Sequence, residues 1–267
     1  MFEYLFVLLF AAMVFIFIFF IYNNLITTKK YRITTQKNIK PLRIVLITDL
    51  HNKRFGKGSV RLLSRIRECA PDVIIVAGDT VDRRRPDFDI SREFLKEVSK
   101  IADTYCITGN HERALGIENC IERLNCKSLL LDNDYKILYD HAILGLPDRI
   151  GGEDGDIRDT LSAFERLDVF KIVAVHRPIE FYDHLELRDK KIDLVLCGHT
   201  HGGAVRIPFF GAFYSPDEGL FPKYARGHYK EKGTDMIVSG GLGSTFLPIR
   251  FHNFPQIVVV EIEKTKN

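Results

Sequence analysis

Asp49-Leu50-His51, Gly78-Asp79-Thr80-Val81-Asp82, Gly109-Asn110-His111-Glu112, His176 and Gly198-His199-Thr200-His201 each set carboxylate, amide or imidazole groups directly after an apolar run. Five of the nine histidines of the chain fall inside these short segments. Carboxylate oxygens, an amide carbonyl and neutral imidazoles are hard and borderline donors, and together they suffice for two divalent metal ions. Any one segment alone carries little, because D-x-H and H-x-H arise readily by chance and a lone histidine at a strand end is usually structural. The set of five, in this order and each behind a buried run, points to metal chemistry.

The elements that must position these groups are legible as an alternation. Leu42 to Thr48, Val73 to Ala77, Thr104 to Thr108, Lys171 to Val175 and Leu194 to Cys197 are short apolar runs that predict buried strands. Between them, Val60 to Cys69 has helical spacing behind Ser59 as a candidate cap, and Ile90 to Ile101 predicts a second helix. Tyr135 to Tyr139 and His141 to Leu146 predict a hairpin across Asp140, and Ile157 to Leu167 a further helix. From Gly203 to Ile262 the chain is rich in Gly, Pro and aromatics, with strand-like pieces at Asp235 to Ser239 and Gln256 to Ile262, and antiparallel sheet with loops is expected there. The fold class is therefore α/β, built on βαβ units. In a strand, residues two apart point the same way, so Asp49 and His51, and likewise His199 and His201, are expected to face one ion from a strand end. Open α/β sheets bind ligands beyond the carboxyl ends of their strands, and the five ends are expected to converge only if the strands share a sheet.

With 267 residues, 46% hydrophobic and 27% charged, the chain has the balance of a folded protein with a large core. A net charge of +3 is too small to imply a nucleic-acid partner. Cys69, Cys106, Cys120, Cys126 and Cys197 lack a framework spacing and read as free, mostly buried thiols, with only Cys120 and Cys126 close enough in sequence to raise the question of a pair. Residues 1–22 carry Glu3 as their sole charge, and no other follows until Lys29, so this run exceeds the roughly 20 residues that span a bilayer. Its start is not basic and no small-x-small site follows, which argues for a retained anchor over a cleaved signal. Lys29, Lys30, Arg32, Lys37, Lys40 and Arg43 follow the helix, whereas only the terminal amine and Glu3 precede it, so the expectation is a single-pass membrane protein with its catalytic domain in the cytoplasm. The expected organisation is an anchor over 1–24, a polar linker over 25–40 and one domain over 41–267.

The pattern D-x-H, G-D-x-x-D, G-N-H-D/E, H and G-H-x-H, complete from residue 49 to 201, resembles the calcineurin-like metallophosphoesterase superfamily. The stretches GHTHGGAVRIP, GAFYSPDEGLFPKY and VSGGLGSTFLPIRF look most like a membrane-associated bacterial branch of it. The resemblance implies a four-layer αββα sandwich with two divalent metals, Mn, Fe or Zn, at the sheet ends. Carried over position by position, it gives Asp49, His51 and His201 to the first metal, Asn110, His176 and His199 to the second, and Asp79 to both as the bridge. A carboxylate can span ions about 3.5–4 Å apart, and the shared water they activate would attack phosphorus in line, without a covalent phospho-enzyme. His111 then corresponds to the general acid or phosphate-contacting residue, and Asp82 to the partner that orients it and favours its protonated form.

The same resemblance implies a phosphate-containing substrate, small molecule or lipid. The anchor and the aromatics Phe209, Phe210, Phe213, Tyr214, Phe221 and Tyr224 lean toward the membrane interface, and UDP-2,3-diacylglucosamine is one candidate because similar membrane-associated enzymes cleave its pyrophosphate. A phosphoprotein phosphatase and a non-catalytic metal-binding scaffold are the alternatives. Arg83 sits where the phosphatase branch places a phosphate-binding arginine, although the run Arg83 to Arg85 reads more readily as a solvated basic loop. Lys53 and Arg54 are candidates to steer an anionic substrate. Glu112 is expected to support its loop, Gly78, Gly109 and Gly198 to allow close approach to the metals, and His141, His184, His228 and His252 to be surface or structural.

Overall fold

Val73–Ala77 and Leu194–Cys197 are apolar at every position and form strands buried on both faces, the pattern of inner strands in a layered α/β protein. The computed structural model describes residues 2–148, 157–179, 191–203, 206–207, 209–215, 219–244, 250 and 252–265. In chain order the elements are α1 (Phe2–Asn24), β1 (Thr27–Thr35), β2 (Leu42–Ile47), α2 (Val60–Glu68), β3 (Val73–Ala77), α3 (Phe88–Val98), β4 (Asp103–Ile107), α4 (Asn110–Leu115) and α5 (Ile117–Leu124). There follow β5 (Asp134–Leu138), β6 (His141–Gly145), α6 (Arg158–Glu165), β7 (Phe170–Ala174) and β8 (Leu194–Cys197). Two small hairpins pair β9 (Arg206–Ile207) with β10 (Gly211–Ala212) and β11 (Tyr214–Ser215) with β12 (Gly219–Leu220). The chain closes with β13 (Gly227–Glu231), β14 (Thr234–Val238) and β15 (Gln256–Lys264).

The strands divide between two sheets, of order β1-β15-β2-β3-β4 and β13-β14-β8-β7-β6-β5. Contrary to the expectation above, the five motif-bearing strands do not share one sheet: β2, β3 and β4 lie in the first, β7 and β8 in the second. Their ends still converge, because the sheets pack face to face through Ile44, Leu46, Ile75 and Ala77 on one side and Ile143, Ile172, Leu194 and Leu196 on the other. A second core lies between the outer face of the first sheet and α2, α3 and α5, with Leu62, Ile66, Phe94 and Leu124 against Val45, Ile74 and Val76. A third seats Leu161 and Phe164 of α6 on Leu144, Val173 and Val195 of the second sheet. Helix, sheet, sheet, helix is the four-layer αββα order, and each fully buried Leu, Ile or Phe contributes roughly 1.5–3 kcal/mol to holding it.

Local expectations differ in instructive places. The α2 helix starts behind Ser59, but that residue is left-handed and makes no side-chain cap bond, following a tight 3-10 turn at Lys57–Ser59. By contrast Asp87 caps α3, accepting from the Ile90 amide at 3.2 Å. The C-terminal stretch is not purely antiparallel, since β14 runs parallel to β8 and β15 parallel to β1. The largest correction concerns residues 25–40. Most of this expected linker is β1, paired in register along its whole length with β15. Only Leu25 and Ile26 separate it from α1, and Ile26 is buried in the core.

The α1 helix is long and apolar enough to cross a membrane: an 18-residue window within Tyr4–Asn24 has a mean hydropathy of 3.0, and none of that window is buried. Its C-terminal end is fixed to the domain. Lys53 Nζ donates to the Asn23 carbonyl and Arg61 Nη2 to the Asn24 carbonyl, the second at 2.6 Å, so two basic side chains satisfy carbonyls at the negative end of the helix dipole. Tyr22 adds a hydrogen bond to His252 Nδ1 at 3.1 Å and a ring contact with Phe254.

Candidate metal centre

Beyond the ends of β2, β3 and β8 the backbone turns sharply, and several of the residues that do so are not glycines. Asp49 (φ 53°), His51 (46°), Asp79 (53°), His199 (67°) and His201 (50°) all occupy the left-handed region. L-residues enter it at a cost on the order of 1–2 kcal/mol each. Strand alternation therefore does not bring Asp49 and His51, or His199 and His201, to one side; a left-handed turn at each residue does. Backbone bonds hold the turns together, with the amides of Asp49, His51 and Asn52 donating to the carbonyls of Gly78, Asp79 and Thr80 at 3.0–3.1 Å. Glycine is needed where loops touch: a Cβ at Gly109 would lie 2.3 Å from Asp79 Oδ1, and one at Gly78, itself at φ +82°, 2.5 Å from His176 Nδ1.

Three groups of buried side chains bring ligand atoms within 4.8 Å of one another: Asp49, His51 and His201; His51, Asp79 and His111; Asp79, His176 and His199. Asp79 stands in the middle. Its Oδ1 accepts the His111 amide at 2.9 Å, while Oδ2 lies 3.2 Å from His176 Nε2, 3.8 Å from His51 Nε2 and 4.0 Å from His111 Nε2. Asn110 Oδ1 is 3.1 Å from His176 Nε2, so all seven expected ligands surround one buried volume drawn from both sheets. Asp49 links the sheets directly, its carboxylate accepting the His199 amide at 3.1 Å. His51 Nε2 faces His201 Nε2 at 3.2 Å, and His199 Nδ1 faces His176 Nε2 at 3.2 Å. Facing imidazole lone pairs repel unless a proton or cation lies between them, so this donor set fits metal ions.

The His176 tautomer follows from its partner. Nδ1 lies 2.9 Å from the Ala77 carbonyl, which can only accept, so Nδ1 carries a proton and Nε2 is the ligand atom. Burial alone would lower the His176 pKa, but Asp79 outweighs it and lifts the ring to about 10. Asp79 is held well below the usual carboxylate range, burial notwithstanding, chiefly by His176. Burial pulls His51 well down and His201 to about 4, leaving both neutral and ready to ligate. Metal-stripped protein at pH 7–8 should therefore hold one proton on His176 Nε2 and release about one as the cation binds. Calorimetric titrations in buffers of different ionisation enthalpy measure this number; a value near zero would mean that His176 is already neutral.

Glu112 ties the loops together. Its Oε2 accepts the amides of Asp79 and Gly109, and Oε1 those of Thr80 and Val81 together with the Thr80 hydroxyl, at 2.6–3.0 Å. It supports the β3 and β4 loops and faces away from the ligand groups. His111 Nδ1 accepts the Arg83 amide at 3.0 Å, so its proton lies on Nε2, directed toward Asp79. Asp82 differs from the expectation. Its Oδ1 is 3.6 Å from His111 Nδ1, too far for a hydrogen bond, and accepts the Arg84 amide instead. Burial, the largest influence, lowers the His111 pKa against the opposing charges of Asp79 and Asp82, so the neutral ring is favoured.

Other candidates separate clearly. Arg83, Arg84 and Arg85 are exposed, and Lys53 is turned toward the end of α1, its pKa brought to about 7 by burial. His141 packs on Phe170, His228 bonds Asp235 at 2.7 Å and His252 meets Tyr22, while His184 lies outside the described residues. All five cysteines are free thiols, with burial pushing Cys120 up to about 12 and Cys126 to about 11.

Sequence reasoning missed the loop at 239–243. The Leu242 and Gly243 amides donate to the carbonyls of Thr48 and Asp49, and Thr48 Oγ1 bonds Ser239 Oγ at 3.0 Å. Arg250, fully buried, holds this loop through hydrogen bonds to the carbonyls of Gly240 and Gly243. Burial disfavours its charge, and the nearby Asp49 carboxylate favours it. The signal in sequence was the Ser-Gly-Gly of the stretch VSGGLGSTFLPIRF, which directly follows β14 and its apolar end Met236–Val238. Arg250→Met strands buried carbonyls and should cost on the order of 3 kcal/mol, lowering Tm by about 6–12 °C. A thermal melt with unchanged Tm would show that the loop stands without it.

Residues 42–203 match the calcineurin-like phosphoesterase family. The chain is 32% identical over 220 residues to the uncharacterized metallophosphoesterase YkuE of Bacillus subtilis (strain 168), covering 75% of this chain and 71% of that one. It is 28% identical over 247 residues to the phosphodiesterase YaeI of Escherichia coli (strain K12), covering 84% and 83%. A metallophosphoesterase of Aquifex aeolicus (strain VF5) is 28% identical over 252 residues, covering 90% and 92%. With buried Asp and His groups gathered at the sheet ends and most of the domain matched, the chain belongs to the calcineurin-like phosphoesterases and is a metal-dependent phosphoester hydrolase.

Proposed function

We propose that this chain is a membrane-anchored dinuclear phosphohydrolase that cleaves a phosphodiester or pyrophosphate bond in a lipid-linked or nucleotide-sugar substrate, UDP-2,3-diacylglucosamine being one candidate. The observation that carries the dinuclear part is Asp79 Oδ2 between imidazoles from three different loops. On this reading Asp49, His51 and His201 hold one ion, Asn110, His176 and His199 the other, and Asp79 bridges them. Two such cations, Mn, Fe or Zn, activate water and stabilise charge on phosphoryl oxygens. The rest falls to the protein. His111 presents Nε2–H to a phosphoryl or leaving-group oxygen, its ring held by the Arg83 amide at Nδ1, and Asp82 acts on it through charge alone. The bond cleaved is read as a diester or pyrophosphate by analogy with the phosphodiesterase YaeI.

The membrane part rests on the length and apolarity of α1 and on the basic residues that follow it, which favour a cytoplasmic domain. Full-length protein purified in detergent and loaded with Mn, Fe or Zn should hydrolyse an aryl phosphodiester faster than the monoester. Lipid and nucleotide-sugar extracts treated with wild type, and in parallel with Asp79→Asn, should lose one phosphate-bearing species with wild type only. Bound metal without hydrolysis of any ester would favour a scaffold, and selective loss of phosphate from phosphoproteins a protein phosphatase; either result would overturn the proposal.

A further inference from the structure

Among the described residues, the domain keeps its phenylalanines buried or half-buried, with one local exception. Phe55, Phe88, Phe94, Phe164 and Phe170 are buried, and outside α1 every exposed phenylalanine among the described residues lies between 209 and 221. There Phe209 and Phe210 stand in the turn between β9 and β10, while Phe213, Tyr214, Leu220 and Phe221 flank the paired ends of β11 and β12, all exposed to water. Phe213 and Phe221 meet edge-on with ring centroids 5.6 Å apart, and exposed aromatics gathered in one stretch of a soluble surface mark a contact with something apolar. Two amides of this stretch are already hydrogen-bonded, Phe210 to the Ile207 carbonyl at 3.1 Å and Phe221 to the Phe213 carbonyl at 2.9 Å, which lowers the cost of taking them out of water.

Their position says what covers them. The end of α1 touches His252 and Phe254 through Tyr22. Asn253, between those two, donates to the His201 carbonyl and packs on Gly202. Gly203 in turn lies against Ala212 and the Tyr214 carbonyl, which belong to the hairpins. A path of direct contacts thus runs from the end of the apolar helix, through buried Asn253 and the ligand loop at His201, to the two hairpins. Aromatic side chains are the residues that settle at a membrane–water boundary.

We propose that the two hairpins are a second membrane contact: their exposed aromatic side chains enter the headgroup–acyl boundary of the bilayer that α1 crosses, and the metal-centre loop at His201, which packs on the hairpins, is held close to the lipid surface. The proposal rests on α1 spanning that bilayer, as read above. The chain contains no tryptophan, so single substitutions report cleanly. Phe209→Trp tests the hairpin, Phe10→Trp the helix, and Tyr139→Trp an exposed turn of the β5–β6 hairpin as control. Each full-length variant is placed in phosphatidylcholine–phosphatidylglycerol nanodiscs with and without brominated acyl chains. Insertion by 5–10 Å should lower the emission at 209 about two-fold on brominated lipid, with the signal at 10 also quenched and that at 139 unchanged. Quenching at 10 but not at 209 would overturn the hairpin contact and leave the anchor standing. Quenching at neither position would overturn both, and quenching at all three would overturn the specific contact in favour of general adhesion.

Discussion

Asp79→Asn should leave the purified protein with at most one tightly bound metal per chain and lower turnover by about three orders of magnitude or more, equivalent to roughly 4 kcal/mol of barrier. The geometry gives the reason. Oδ1 is committed to the His111 amide, so Oδ2 alone faces His176, His51 and His111. An amide at this position either turns its NH2 toward those nitrogens or offers one neutral oxygen, and neither holds two cations together. Losing the carboxylate also removes the main influence lifting the His176 pKa, so the metal-stripped variant should release fewer protons on loading than wild type. Plasma mass spectrometry for metal content and aryl phosphodiester hydrolysis are the two measurements. A variant that keeps two metals and full turnover would remove Asp79 from the bridge.

His111→Ala should separate the same two measurements. Metal content should stay close to that of wild type, because His111 is not among the seven assigned ligands, while turnover falls by about two orders of magnitude or more. The ring stands at the junction of the two ligand groups, stacked edge-on against His51 with centroids 4.5 Å apart. Its loss also leaves the Arg83 amide without its acceptor, a cost of about 1–3 kcal/mol if the amide stays dry, so a modest fall in Tm should accompany the kinetic effect. Unchanged turnover would exclude His111 from the reaction.

The contrast between these residues and Arg250 shows what a sequence can carry. Val73–Ala77 and Leu194–Cys197 begin and end where their composition predicts, because strands buried on both faces need apolar residues throughout. The ligand motifs are likewise legible, since metal donors are few and their spacing is local. The left-handed backbone at Asp49, His51, Asp79, His199 and His201 is not, because these side chains give no sign of the φ they adopt. The division of the strands between two sheets is hidden for a related reason: sheet membership depends on pairings such as Ile44 with Val260, far apart in the chain. β1 reads as polar linker because it is an edge strand with Ile33 as its one buried residue, and its partner lies at the other end of the chain. Arg250 is a charge whose ordinary place is the surface; only the folded loop makes it an internal brace.

The replacement of a linker by β1 has a consequence for reach. A flexible tether over residues 25–40 would let an anchored domain range over roughly 20 Å. Instead α1 ends on Lys53 and Arg61, and two residues later the chain is already in the sheet. On the proposed anchoring, the metal centre then operates at one height above the bilayer and with one orientation. A phosphate presented at another depth would miss it, so the length of a substrate's headgroup becomes a ruler by which the protein chooses.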